Sequence, residues 1–190
     1  MREDHFKVWT LPSGGNDWTL PRRLGEMLGE AEIKYGSRDE SFTVLGVEFG
    51  PDGWNPHIYY PPTGKHITIM LAPIALNDHD IALYELAHEC VHLLGPPDVA
   101  TTPATVLEEG LATVFQEDYM AQKRNRYGMT SEPKYIAAAA DVRQLLSIEP
   151  DAIKMLRNVQ PSFSKMTLGH FSSLLPSVDN ALVQKLLAPF

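Results

Sequence analysis

Residues 77–97, NDHDIALYELAHECVHLLGPP, contain the strongest secondary-structure signal in this 190-residue chain. Asp78 and Asp80 provide an N-cap and a first-turn acid for a helix, and Gly95, followed by two prolines, ends it. Between them the apolar residues recur at helical spacing. They are Leu83, Leu86, Ala87, Cys90, Val91 and Leu94. The pattern predicts an amphipathic helix with one continuous face against the core.

Three polar residues of this helix lie outside the apolar stripe: His88, Glu89 and His92, in the pattern His-Glu-x-x-His. Residues four apart on a helix stand one above the other, with Cβ atoms about 6 Å apart, so two imidazoles can reach one metal ion. Glu89 is turned by roughly 100° from His88, which places it better for a metal-held water than for the metal. We therefore expect His88 and His92 to bind a metal and Glu89 to act as a general base.

A catalytic zinc ion takes three protein ligands and keeps one position open. Glu109 is the candidate third ligand, because it follows His92 by 17 residues on the next predicted helix. Its neighbour Gly110 costs about 1 kcal/mol relative to alanine inside a helix. This glycine predicts that another backbone, or the site itself, approaches closely there. Glu108 is the alternative ligand.

The rest of the chain predicts an α+β fold in a single domain over residues 1–190. Residues 1–76 form a helix-and-sheet portion, and residues 77–190 form the active-site helix and a helical portion. The predicted elements are a helix over 19–35, strands over 41–49 and 66–71, a loop over 54–65, and helices over 103–124, 132–147, 150–158, 167–175 and 178–188. Thr102 is the expected N-cap of the helix that begins at Pro103.

The composition and the apolar segments of the chain argue against nucleic-acid binding, internal disulfides, secretion and membrane insertion. The net charge of −8 argues against nucleic acid as a partner, because phosphate binding needs a basic surface. Cys90 is the one cysteine, so the chain cannot form an internal disulfide, and its place on the apolar stripe predicts a buried side chain. The first ten residues lack the apolar run of a secretory signal, and no segment reaches about 18 apolar residues. We expect a cytoplasmic protein with no membrane partner.

The motif and its continuation resemble a known group of enzymes. His-Glu-x-x-His followed by Glu-Gly-x-Ala at residues 109–112 resembles the gluzincin zinc metallopeptidases, which include the thermolysin-like enzymes and the M1-type aminopeptidases. The resemblance covers roughly residues 66–120. It implies a zincin-like fold, zinc held by His88, His92 and Glu109, and Glu89 as general base. It also implies that the strand over 66–71 is an edge strand along which a peptide or protein substrate lies.

The resemblance also implies a residue that stabilises the oxyanion of the tetrahedral intermediate. His170 is the first candidate, because its separation from Glu109 is similar to that of the stabilising histidine in thermolysin-like enzymes. Tyr127 and Tyr135 are the competitors.

Two alternative functions share the same metal residues. The chain could be a zinc-binding amidohydrolase that does not cut peptides, or a non-catalytic module that binds a peptide or protein. A site with a purely structural metal is disfavoured, because it would need a fourth ligand, and Cys90 faces away from the histidines.

Overall fold

The computed structural model describes residues 19–97 and 102–190, and these residues form an α+β fold. Seven α-helices and one three-stranded sheet account for most of the described residues. In chain order they are α1 (Leu20–Tyr35), β1 (Thr43–Phe49), β2 (His57–Tyr59), β3 (His66–Leu71), α2 (His79–His92), α3 (Val106–Arg124), α4 (Pro133–Ile148), α5 (Ala152–Val159), α6 (Leu168–Leu174) and α7 (Asn180–Leu186). All predicted helices and both predicted strands are therefore present, with shifted ends. None of the described helices is long and apolar enough to cross a membrane.

The sheet corrects two predictions. Its strand order is β1-β3-β2, with β3 parallel to β1 and antiparallel to β2. The strand at 66–71 is thus central rather than an edge strand. The reason is burial on both faces: Thr68 and Met70, which alternate with the isoleucines, are buried as well. The edge position belongs to β2, which lies inside the segment 54–65 that was predicted to be only a loop.

Helix α2 begins and packs as its sequence predicts. The Asp78 side chain caps it by accepting a hydrogen bond from the Ile81 N–H at 3.1 Å. All six residues of the apolar stripe are buried, including Cys90, and they form part of one core with α1, α3 and the sheet. The polar residues 88, 89 and 92 are thereby held on the side of α2 that faces a cleft.

Helix α3 begins three residues later than predicted. Thr105, not Thr102, is its N-cap and accepts a hydrogen bond from the Glu108 N–H at 3.3 Å. The preceding segment is extended, because its backbone pairs with residues 188–190: Val106 N–H donates to the Ala188 carbonyl and Phe190 N–H to the Ala104 carbonyl. These tertiary hydrogen bonds outweigh the preference of Pro103 for a first helical position.

The close approach predicted at Gly110 is confirmed. A Cβ atom at this position would lie 2.5 Å from the Ala138 carbonyl oxygen and 2.8 Å from a methyl of Val142, both on α4. Helices α3 and α4 therefore touch backbone to backbone beside Glu109. The contact brings the start of α4 to the same cleft as α2.

Candidate metal centre

The structure brings the three predicted ligands together. The His88 and His92 rings lie next to each other on α2, with centroids 5.1 Å apart and planes tilted by 57°, and Glu109 reaches both from α3. Its carboxylate oxygens lie 3.2 Å from His88 Nε2 and 3.7 Å from His92 Nε2. Two ligand atoms of a tetrahedral zinc ion, at bonds of about 2.0–2.1 Å, are about 3.3 Å apart. The two distances from Glu109 to the imidazole nitrogens are close to this spacing.

Both imidazoles present Nε2 to Glu109 because their other nitrogen has a partner. His92 Nδ1 lies 2.8 Å from Glu108 Oε1, and His88 Nδ1 lies 3.0 Å from Gln116 Oε1. A donor bond from Nδ1–H leaves the Nε2 lone pair for a metal and holds the ring in place. Glu108, the alternative ligand, is thus placed behind His92 rather than beside Nε2.

Sequence reasoning missed Glu108 and Gln116 as partners of the histidines. Both are buried, with exposed fractions of 5% and 3%. Gln116 follows Glu109 by seven residues, which is two helical turns, so a projection of α3 would have placed them on one face. No comparable signal links Glu108 to His92.

The buried charges of this cluster favour a bound cation. Burial alone lowers the pKa of His92, but the hydrogen bond that its ring donates to Glu108 and the charges of Glu109 and Glu89 raise it to about 10. Burial pushes the pKa of Glu109 upward, yet the two histidines hold it below its usual value. Three carboxylates thus surround two imidazoles. Carboxylate oxygens and imidazole nitrogens are ligand types that zinc takes in proteins.

Glu89 lies on the floor of the cleft with an exposed fraction of 3%. Burial raises the pKa of its carboxyl, and the two histidines act against this shift. One of its oxygens lies within 4.8 Å of a nitrogen of each histidine. Glu109 makes the shorter contacts to Nε2 from the opposite helix, so Glu89 is the carboxylate left to face a water or a substrate.

The cluster separates two cavities, of about 220 Å³ and about 340 Å³. His88, Glu89 and Tyr135 line both of them, as does Pro56. The first cavity extends along β2, where His57 and Ile58 form its wall. The outer edge of β2 pairs with no other strand among residues 19–97 and 102–190. An extended chain could therefore lie along β2 and pass over the cluster.

The structure does not bring His170 to this cluster. Its ring is engaged on α6, where Nδ1 accepts a hydrogen bond from the Thr167 N–H at 3.1 Å, and it lines neither cavity. This placement corrects its predicted role, and the helical capping box explains its sequence position. Tyr127 is 73% exposed and also lies outside both cavities.

Of the three candidates, Tyr135 is the one at the cluster. Its ring meets the edge of the His88 ring with centroids 5.8 Å apart. Burial and the charge of Glu109 raise the pKa of its hydroxyl to about 12. The hydroxyl therefore keeps its proton at neutral pH and can donate a hydrogen bond.

Comparisons with protein-family models, with curated proteins and with solved structures found no match to this chain. The assignment of a function consequently depends on the geometry of the cluster itself.

Proposed function

We propose that this chain is a zinc-dependent peptidase of minimal zincin-like architecture, with His88, His92 and Glu109 as zinc ligands. The observation that carries the proposal is the orientation of the two imidazoles. Each has its Nδ1 bonded to a buried side chain and its Nε2 beside the Glu109 carboxylate. When bound, zinc supplies a Lewis acid that polarises a carbonyl and makes water more acidic.

Glu89 is the proposed general base. Its carboxylate accepts the proton of the attacking water and passes it to the leaving amine. Its burial suits this role, because a raised carboxyl pKa improves proton transfer near neutral pH. Tyr135 is proposed to donate a hydrogen bond to the oxyanion of the tetrahedral intermediate, in place of His170.

The peptide or protein substrate is proposed to lie along β2 rather than β3. An edge strand offers unpaired backbone groups to an extended chain, whereas both edges of β3 are already occupied. The cavities on the two sides of the cluster then receive substrate residues on the two sides of the scissile bond.

The metal assignment is tested first, by elemental analysis of the purified chain. We expect about one zinc per wild-type chain and a strongly reduced content in Glu109→Ala, because two ligands from one helix hold the ion poorly. Glu48→Ala is the matched control, since Glu48 is an exposed residue of β1. Absence of zinc from the wild type, with no uptake when zinc is supplied, contradicts the proposal.

The peptidase assignment is tested with Glu89→Gln and a peptide library. We expect the variant to keep zinc and to lose hydrolysis by at least about 100-fold, because general base catalysis contributes about 10²–10⁴ in rate. Zinc binding by the wild type without cleavage of any peptide would instead favour the amidohydrolase or the non-catalytic binding module. Cleavage by Glu89→Gln at the wild-type rate would contradict the mechanism.

A further inference from the structure

A chain of hydrogen bonds leads from His88 away from the cleft. His88 Nδ1 lies 3.0 Å from Gln116 Oε1, Gln116 Nε2 donates to the Tyr84 hydroxyl at 2.8 Å, and that hydroxyl lies 2.9 Å from Thr130 Oγ1. The four residues come from α2, α3 and the connection between α3 and α4. They are separated by up to 46 positions in sequence, so only the folded chain assembles them.

The bonds of this chain have a single consistent direction. The Tyr84 hydroxyl accepts from the Gln116 amide, and its one proton is then available to Thr130 Oγ1. The amide nitrogen of Gln116 is then used, and its oxygen is turned to His88 as an acceptor. This acceptor favours the His88 tautomer with the proton on Nδ1, which leaves Nε2 free to bind a metal.

The orientation of the Gln116 amide decides which tautomer of His88 is favoured. The Gln116 side chain is 3% exposed, and its amide oxygen and nitrogen both have partners. A rotated amide would turn its nitrogen toward His88 Nδ1 and would favour the other His88 tautomer, with the proton on Nε2. Burial also raises the pKa of the Tyr84 hydroxyl, so that hydroxyl remains a donor.

We propose that Gln116, held by Tyr84 and Thr130, is the positioning residue that prepares His88 to bind the metal. This inference rests on the proposed zinc site. Glu108 has the corresponding place behind His92, so each histidine has its own buried partner on α3. The partner of His88 is the neutral amide of Gln116. The hydrogen bond from that amide to the Tyr84 hydroxyl determines which polar atom of Gln116 faces His88.

The experiment compares zinc affinities, measured by competition with a chelator, for Gln116→Leu and Gln116→Glu. Leucine removes the acceptor, so we expect a 10- to 100-fold loss of affinity, the usual range for such partners, as an order-of-magnitude estimate. Glutamate restores an acceptor and is expected to bind zinc at least as tightly as the wild type. Gln122→Leu, at an exposed position of the same helix, is the control and should not change the affinity.

The stability of the metal-free variants separates positioning from a merely structural role. Gln116→Glu buries a charge and Gln116→Leu does not. We therefore expect Gln116→Glu to unfold at a lower temperature than Gln116→Leu. Zinc affinity should rank the two variants in the opposite order. Tyr84→Phe, which frees the amide to rotate but keeps it, is expected to weaken zinc binding less than Gln116→Leu does.

Two results would overturn the inference while leaving the proposed function intact. One is wild-type zinc affinity in Gln116→Leu, and the other is an equal loss of affinity in Gln116→Glu and Gln116→Leu. Failure of the wild type itself to take up zinc would instead overturn the proposed function, and this inference with it.

Discussion

Glu85 lies one helical turn before Glu89, and its carboxyl group is buried without a cationic partner among residues 19–97 and 102–190. It is 8% exposed, and its Oε2 accepts a hydrogen bond from the Ala72 N–H at 2.9 Å, which ties α2 to the end of β3. Burial raises its pKa from 4.5 to about 7, and the charge of Glu89 adds to the effect, although the bond from Ala72 opposes it. The ionised form is therefore the unfavourable one in the folded chain.

This shift predicts a pH-dependent effect of Glu85→Gln. The folded carboxyl binds a proton more tightly than the unfolded one, so wild-type stability falls as the pH rises from about 4.5 to about 7. Glutamine can still accept from Ala72 and carries no charge. We expect the variant to be more stable than the wild type at pH 8, by at most about 3 kcal/mol, with the difference vanishing near pH 4.5.

Urea unfolding at several pH values, in the presence of a chelator, measures the effect of Glu85→Gln. Glu48→Gln is the control at an exposed site and should show no such trend. A gain in stability that is the same at pH 5 and pH 8 would contradict the explanation by burial.

At the scale of elements, the contact between α3 and α4 determines where Glu109 and Tyr135 lie. Gly110 permits this contact, because a methyl group there would overlap the Ala138 carbonyl and Val142. Ala138 and Ala139, the buried members of the alanine run at residues 137–140, keep the facing surface of α4 small. The two helices can thus approach beside the ligand, and the start of α4 reaches the cleft.

Gly110→Ala is expected to destabilise the fold by about 1–3 kcal/mol, because overlap with a backbone carbonyl outweighs the gain in helix propensity. Zinc affinity should fall as well, since α3 carries Glu109. Gly25→Ala is the matched control: this glycine is also inside a helix, but no atom lies within 4 Å of its added Cβ, so its substitution should stabilise by about 0.4–1 kcal/mol. A stabilising effect at both positions would contradict the packing argument.

At the scale of the whole molecule, Arg157 of α5 joins the two portions of the chain. Its guanidinium donates to the carbonyls of Tyr35, Gly36 and Ser37 at the end of α1, and to Leu94 just beyond α2. It is 4% exposed, and burial lowers its pKa to about 10, so it stays charged at neutral pH. One side chain therefore satisfies the carbonyl ends of two helices, including the one that carries the histidines.

Arg157→Met is expected to lower the free energy of unfolding by about 3–5 kcal/mol, because several buried carbonyls lose their donors. Arg157→Lys should recover little, since an ammonium cannot reproduce the planar fork. Arg143→Met, which removes an exposed pair with Glu117 and Asp118, should cost no more than about 1 kcal/mol. Urea unfolding of the three variants measures these changes. A free energy of unfolding of Arg157→Met that is close to that of the wild type would contradict this role.

The sequence predicted the α+β class, the helices and the grouping of His88, His92 and Glu109, all of which the structure contains. It also predicted the close approach at Gly110. The sequence did not predict the order of the sheet, the strand β2, the start of α3, or the partners of the two histidines. The sequence also predicted that His170 lies at the metal cluster, whereas in the structure Tyr135 lies there.

The features that the sequence predicted differ from those that it did not predict for a physical reason. A helix forms from hydrogen bonds between residues four apart, so the stripe of α2 and the proximity of His88 and His92 follow from local spacing alone. Strand order, the pairing of residues 104–106 with 188–190, and the hydrogen bond between His88 and Gln116 join residues far apart in the chain. Their formation depends on how the whole chain packs, and only the tertiary structure specifies it.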